Sequence, residues 1–251
     1  MKAPSLLQVT GMLLLLSGLM TGICFEGLRQ QFFYPDILRM PAGYVLSTYH
    51  RGGVSLQLLW YGMTLGSLLL LIICLLLHNS LASFQKKYVP FITGVGVLAG
   101  LFNTLGFIRW VFLVPSLAAS YVDPDASMAT KQTISLIFEA FHQYLGFSLG
   151  EHLGFLFLAC WGSSFSLFLY ANTNFPKWLH GLGIVSSLGT FLGLLEATGW
   201  EFAAQVVSIS SSFLILWIAL VGFYLYRLPT LKFGRAGLYR KVGQTSFERV
   251  N

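Results

Sequence analysis

The chain has 251 residues, 55% of them hydrophobic and only 10% charged, with a formal net charge of +6. A water-soluble domain carries about 25% charged residues, so this composition excludes a globule surrounded by water and makes lipid the main solvent. Membrane crossings with short connections use up the chain and leave no room for a second folded domain.

Six apolar runs, 6–25, 54–77, 89–114, 153–170, 178–197 and 206–225, approach the ~20 residues needed to cross a bilayer as a helix. The short alternating segments of a membrane β-barrel are absent. The fold class is therefore an all-α integral membrane protein with six transmembrane helices plus one amphipathic or re-entrant helix. Residues 1–226 form the helical domain and residues 227–251 a basic tail.

The first run follows Lys2 like a signal peptide, but no small-x-small cleavage site follows it. Thr21-Gly22-Ile23-Cys24 carries a large Ile23 where a lipid-attachment box needs a small residue, so this run reads as an uncleaved first span. Residues 26–53 then read as a loop punctuated by Pro35, Pro41, Gly43, Gly52 and Gly53, with Phe32, Phe33, Tyr34, Tyr44 and Tyr49 between them. The loop is either an interfacial lid over the polar helix ends or a plain connection.

The third and fifth runs share an echo. Gly96-x-x-x-Gly100-Leu101 with Gly106 recurs as Gly189-x-x-x-Gly193-Leu194 with Gly199, which suggests a close-packed central pair. Between the third and fourth runs, Asp123-Pro124 reads as a helix opening. The following apolar stretch 134–147 has Ser135, Glu139, His142 and Gly146 at helical spacing. It reads as the amphipathic or re-entrant helix, with a seventh span as the alternative. Ser208, Ser210, Ser211 and Ser212 in the last run read as helix-packing groups, and Cys24, Cys74 and Cys160 as small buried side chains without pairing.

After Leu225 the tail carries Arg227, Lys232, Arg235, Arg240, Lys241 and Arg249 against Glu248 alone. By the positive-inside rule the tail is cytoplasmic, and six spans put the N-terminus there too, with ten basic residues inside against four outside. The seven-span count, eleven against three, does not decide between the two. The tail suits anionic lipid headgroups and not nucleic acid. The sequence leaves the oligomeric state open.

Arg109, Glu151, His152 and Glu196 fall near matching ends of the apolar runs, on the non-cytoplasmic side in the six-span topology. A charge in hydrocarbon costs roughly 2.5–3.5 kcal/mol on insertion scales. Arg109 therefore either snorkels or takes Glu151 or Glu196 as a partner. Glu139 and His142 share a helical face and join the candidate ligand-binding set, covering it from above.

A metal held by Glu139, His142 and His152 is an alternative, but the second Glu-x-x-His of a carboxylate-bridged di-metal bundle is missing. Haem b is another. Ten residues of continuous helix would hold His142 and His152 ~15 Å apart, so the pair needs a bend near Gly146–Gly150, or His50 as the second ligand. No Gly-x-Ser-x-Gly, phosphate loop or dinucleotide fingerprint assigns a reaction, so no catalytic residue is identified.

Three stretches together resemble a known family: Arg109-Trp-Val-Phe-Leu-Val-Pro-Ser-Leu-Ala-Ala-Ser-Tyr121, Gly150-Glu-His-Leu-Gly-Phe155, and Phe175-Pro-Lys-Trp-Leu-His-Gly-Leu-Gly-Ile-Val185 continuing to Leu194-Leu-Glu-Ala-Thr-Gly-Trp200. Their order and spacing are similar to the bacterial multipass membrane family termed domain of unknown function 4386, over about residues 10–226. The resemblance implies a bacterial inner-membrane protein and carries no catalytic residues with it. The expected functions are small-ligand binding, sensing or a transport-like role, with a haem- or metal-dependent redox protein or a structural subunit as alternatives.

Overall fold

In the computed structural model, which describes residues 4–81, 87–200 and 202–227, helix α1 spans Leu6–Phe32. A capping box opens it: the Ser5 hydroxyl accepts from the Gln8 N–H, and the Gln8 side chain accepts from the Ser5 N–H. Phe33 closes it in the left-handed region, at φ 54°. Residues 26–53, expected as a loop, are instead mostly helical. They comprise the end of α1, a short 3-10 turn at Asp36–Arg39, and the start of α2 (Ala42–Leu81). Gly53, at φ 56° and ψ −146°, interrupts α2 in a conformation that side chains rarely tolerate. The prolines and glycines therefore mark joints between short helices. Three of the aromatic residues between them, Phe32, Tyr34 and Tyr49, are buried core, whereas Phe33 and Tyr44 are exposed.

Helix α3 (Val89–Phe112) runs into α4 (Val114–Val122) with a break at Leu113. Pro115 lacks the N–H that would serve Val111 O, and Gln57 Nε2 donates to that carbonyl instead at 2.9 Å. The Tyr49 hydroxyl donates to Trp110 O. The break is thus satisfied from α2.

Helix α5 (Met128–Phe141) is capped by Ser127 and not by Asp123, which ends α4 and closes a local turn with the Asp125 N–H. The stretch expected to be a separate amphipathic or re-entrant helix continues without interruption into the fourth span. A wide π-helical segment, His142–Leu153, links α5 to α6 (Gly154–Asn172), giving one rod from Met128 to Asn172. Helix α7 (Lys177–Leu192) ends in a 3-10 segment, Gly193–Thr198, and α8 (Ala203–Arg227) follows.

Six helical stretches are long and apolar enough to cross a membrane, so the chain is an all-α integral membrane protein. Among the described residues no strand is present. Each span packs on the next, in the order α1, α2, α3, α6, α7, α8, and α8 closes the ring on α1. The expected α3–α7 pair does not form, because α6 stands between them. The small-residue faces serve sequence neighbours instead: Gly100 meets the α2 backbone at Leu71, and Gly193 meets Val207 of α8.

Two apolar cores divide the ring lengthwise. One, around Trp161, Phe165 and Trp217, fills the end that carries the α6–α7 connection. The other fills the opposite end and joins residues 24–49 to α2, α3, α4 and α5 around Trp60 and Trp110, stacked 4.8 Å apart. Outward-facing Leu58, Phe91, Val185 and Ile209 are more than half exposed, as lipid contact requires. Lys2, Lys86, Glu201 and the tail beyond Arg227 lie outside the described residues.

The tightest backbone approach in the half that holds Trp60 and Trp110 is Gly106 of α3 against Gly150 of the π segment, where a Cβ on Gly106 would lie 2.6 Å from Gly150 Cα. Gly106→Leu is expected to destabilise the purified protein by roughly 1–3 kcal/mol through overpacking. Gly181→Ala, which meets open space, is expected to leave stability unchanged or raise it by up to about 1 kcal/mol. Detergent-solubilised thermal melts of the two variants check this.

Candidate functional site

The widened helix His142–Leu153 is the local feature from which the site is built. Gly146 and Gly150 along it, and Gly154 at the start of α6, recur every fourth residue and face α3. Opposite them on α3 stand Arg109, Gly106 and Asn103 in that order. A Cβ on Gly146 would sit 2.5 Å from the Arg109 guanidinium, so glycine is what lets that side chain lie between the helices.

Arg109 is buried. Its Nη1 donates to Gly106 O, its Nη2 lies 3.3 Å from His142 Nδ1, and its Cζ lies 5.1 Å from the Trp110 ring centroid. A guanidinium can only donate, so His142 Nδ1 accepts. The other ring nitrogen, Nε2, then carries the proton and donates to Leu38 O at 2.9 Å. The imidazole is thereby used up as a strut between α3 and the Asp36–Arg39 turn. It stacks on Phe138 at 5.0 Å. Arg109 Nε has no hydrogen-bond partner among the described residues.

The cation between the two acids is Arg39. Arg39 Nε and Nη2 grip Glu196 bidentately at 2.9 and 2.7 Å, and Nη2 also donates to Glu151 at 3.0 Å. Nη1 donates to Pro35 O, and the guanidinium lies over the Phe147 ring. Side-chain exposure is 27% for Arg39, 16% for Glu151 and 30% for Glu196, so water screens this cluster only partly. Burial disfavours the Arg39 charge, but the hydrogen bonds from Glu196 and the field of Glu151 outweigh it and hold the guanidinium protonated beyond its ordinary range. Burial first, and the Glu151 charge second, push the Tyr34 phenol up, so it stays neutral.

The expected pairing of Arg109 with Glu151 or Glu196 is therefore replaced by one through Arg39. Arg109 and Glu151 share the lining of a small cavity of about 20 Å³ with Tyr34, without an ion pair between them. Of the other candidates, His152 is exposed, with Glu139 exposed on α5. Glu139, His142 and His152 do not converge on a common point, and among the described residues no group of three or more His, Cys, Asp or Glu side chains does. Axial ligation of haem by His142 would require breaking at least one of its two ring contacts. His50 is exposed. The three cysteines are free.

Glu151 and Glu196 line an open cleft of about 640 Å³ between the π segment and Gly193–Thr198, one from each side. Phe147, Leu153, Phe155 and Leu194 make it apolar, and Gln143, Ser148 and His152 stand at its polar parts. A second cavity, about 90 Å³, lies inside the helix ring among Ser17, Thr21, Ser67, Asn103 and Ser211. The Trp161–Trp217 core occupies the half of the ring beyond it.

Sequence reasoning overlooked two features. Gly146-x-x-x-Gly150-x-x-x-Gly154 was a visible small-residue stripe beside Glu151. Arg39 had no local signal, because its partners are 112 and 157 residues away.

The family described as Domain of unknown function (DUF4386) matches residues 9–227, and the chain belongs to it. No curated protein and no solved structure matches the chain.

Removing Arg39 leaves two carboxylates facing each other without a cation. Arg39→Gln is expected to cost about 2 kcal/mol, with faster hydrogen exchange across residues 34–40 measured by mass spectrometry. His142→Phe strands Arg109 Nη2 and Leu38 O and is expected to cost roughly 1–3 kcal/mol for each group left unpaired. A thermal melt reads that loss.

Proposed function

We propose that this member of the DUF4386 family binds a small amphipathic ligand with a cationic head in the cleft beside Glu151 and Glu196. The observation that supports the reading is a cleft of ligand size with apolar walls and two carboxylates that share a single guanidinium. With all three groups ionised, the cluster has one negative charge in excess. Arg39 already spends its donors on protein acceptors, which disfavours an anionic ligand.

Glu196 is the more exposed of the two acids and offers its free lone pairs to an ammonium group. The apolar body of the ligand then lies against Phe155, Leu153 and Leu194. A volume of about 640 Å³ falls within the ~300–1,000 Å³ of small-molecule sites.

The role is binding or sensing and not conduction. Conduction needs polar groups through the membrane on several helices, whereas the cavity inside the ring is small and the Trp161–Trp217 core fills the half beyond it. The positive-inside bias of the tail supports a bacterial cytoplasmic-membrane location, with both termini cytoplasmic and the cleft on the other face. A ligand carried in that leaflet reaches the cleft sideways or from the aqueous side.

Thermal melting of the detergent-solubilised full chain with octylammonium or octanoate tests the reading. Stabilisation by the cation and not by the anion is expected, with about tenfold weaker binding in Glu196→Gln, a loss of one charge-assisted contact. Equal shifts with both compounds, or an affinity for octylammonium unchanged by Glu196→Gln, overturn it.

A further inference from the structure

A second polar site lies at the opposite end of the ring, where α6 turns into α7. A cavity of about 240 Å³ is lined there by Tyr170, Asn172, Thr173, Asn174, Lys177 and His180, among others. Among the described residues no carboxylate lines it, and Lys177 is the one formal charge in its lining. The volume is below the ~300–1,000 Å³ of pockets for drug-sized molecules, so it suits a headgroup and not a whole organic ligand.

Three features make this pocket a site for an anion. Helix α7, 16 residues long, starts at Lys177 with Pro176 before it and no side-chain cap, which leaves its N-terminus uncapped beside the cavity. The ammonium of Lys177 belongs to the same first turn. His180, one turn further on, is only 3% exposed, and its Nδ1 has no hydrogen-bond partner among the described residues. With the proton on Nδ1, that unpaired buried donor costs about 1–3 kcal/mol, and an oxyanion that accepts from it relieves the cost. The imidazole is held in place edge-on to Tyr170, at 5.5 Å, and parallel to Phe175.

The surroundings place this pocket at the lipid–water boundary. Tyr170 and Trp178 flank it and are about half exposed, as in the aromatic belts of membrane proteins. We propose that this pocket binds the phosphate group of a phosphate ester, with Lys177, His180 and the first-turn N–H groups of α7 as its donors. The source of that phosphate is either an anionic phospholipid or a soluble ester. The site is separate from the Arg39 cluster and stands whether or not the cleft binds a cation.

The test uses the full chain in mixed micelles of a non-ionic detergent with phosphatidylglycerol, and native mass spectrometry to count retained lipid. Retention of phosphatidylglycerol over phosphatidylcholine is expected, falling about tenfold in Lys177→Gln, the loss of one charged donor. Lys177→Arg is expected to keep retention within a few-fold of the native chain. Lys177 is exposed, so melts of both variants should match the native protein, and the basic tail contributes equally to all three.

Glycerol 3-phosphate separates the two sources. Displacement of the lipid at millimolar concentration assigns the pocket to a soluble ester, and failure to displace it assigns the pocket to the lipid headgroup. Equal retention by Lys177→Gln and the native chain, or retention of neither compound by the native chain, overturns the proposal.

Discussion

One guanidinium holds one end of this helix ring together. Arg39 sits on a four-residue turn between two prolines, and it reaches Glu151 at the start of one span and Glu196 at the end of another. Two carboxylates this close to the hydrocarbon would repel each other and draw in water. With the shared cation between them they become a fixed polar cluster that also pins residues 34–40 over the ring. The side chains remain 16–30% exposed, so the cluster stays within reach of a solute. A buried ion pair costs desolvation that its own attraction barely repays. The value of this one lies in placing three separate segments.

Arg109 solves a related problem in a different way. It lies inside the packed end of α3 with no carboxylate in contact. Its charge is met by a carbonyl, an imidazole nitrogen and the face of Trp110. The space for it comes from Gly146, and the wide turn His142–Leu153 carries Gly146 and Gly150 along one side of α3, with Gly154 of α6 following them. Segments of π helix collect at functional sites because they re-aim side chains without ending the helix. Here the re-aiming sends His142 inward to Leu38 O and Glu151 to Arg39. The two arginines are thus linked through the Asp36–Arg39 turn, one by its carbonyl and the other by its side chain.

The two ends of the ring have opposite character. At one end an open apolar cleft meets acids that outnumber their cation. At the other, a smaller polar pocket meets a lysine and an unpartnered histidine. Between them the ring is filled with aromatic side chains around a small internal cavity. Such a body presents different charges at its two faces, with packed side chains between them.

The membrane class, six crossings and family membership were legible because each rests on a local property: about twenty consecutive apolar residues, or a short motif. The acids at matching helix ends were visible for the same reason, since position along a span sets depth. The partner of Glu151 and Glu196 was not visible. Arg39 lies among prolines and glycines that read as a loop, yet Phe32, Tyr34, Leu38 and Tyr49 bury themselves and turn that loop into a helical cover. Asp123-Pro124 looked like a helix start, but Ser127 takes the cap once α4 has ended. The α3–α7 pairing failed because the glycine echo names surfaces that can approach closely without naming their partners. Hydrophobicity, read residue by residue, determined what crosses the membrane. Only closure of the ring decided which charge meets which, because that choice depends on contacts between residues more than a hundred positions apart.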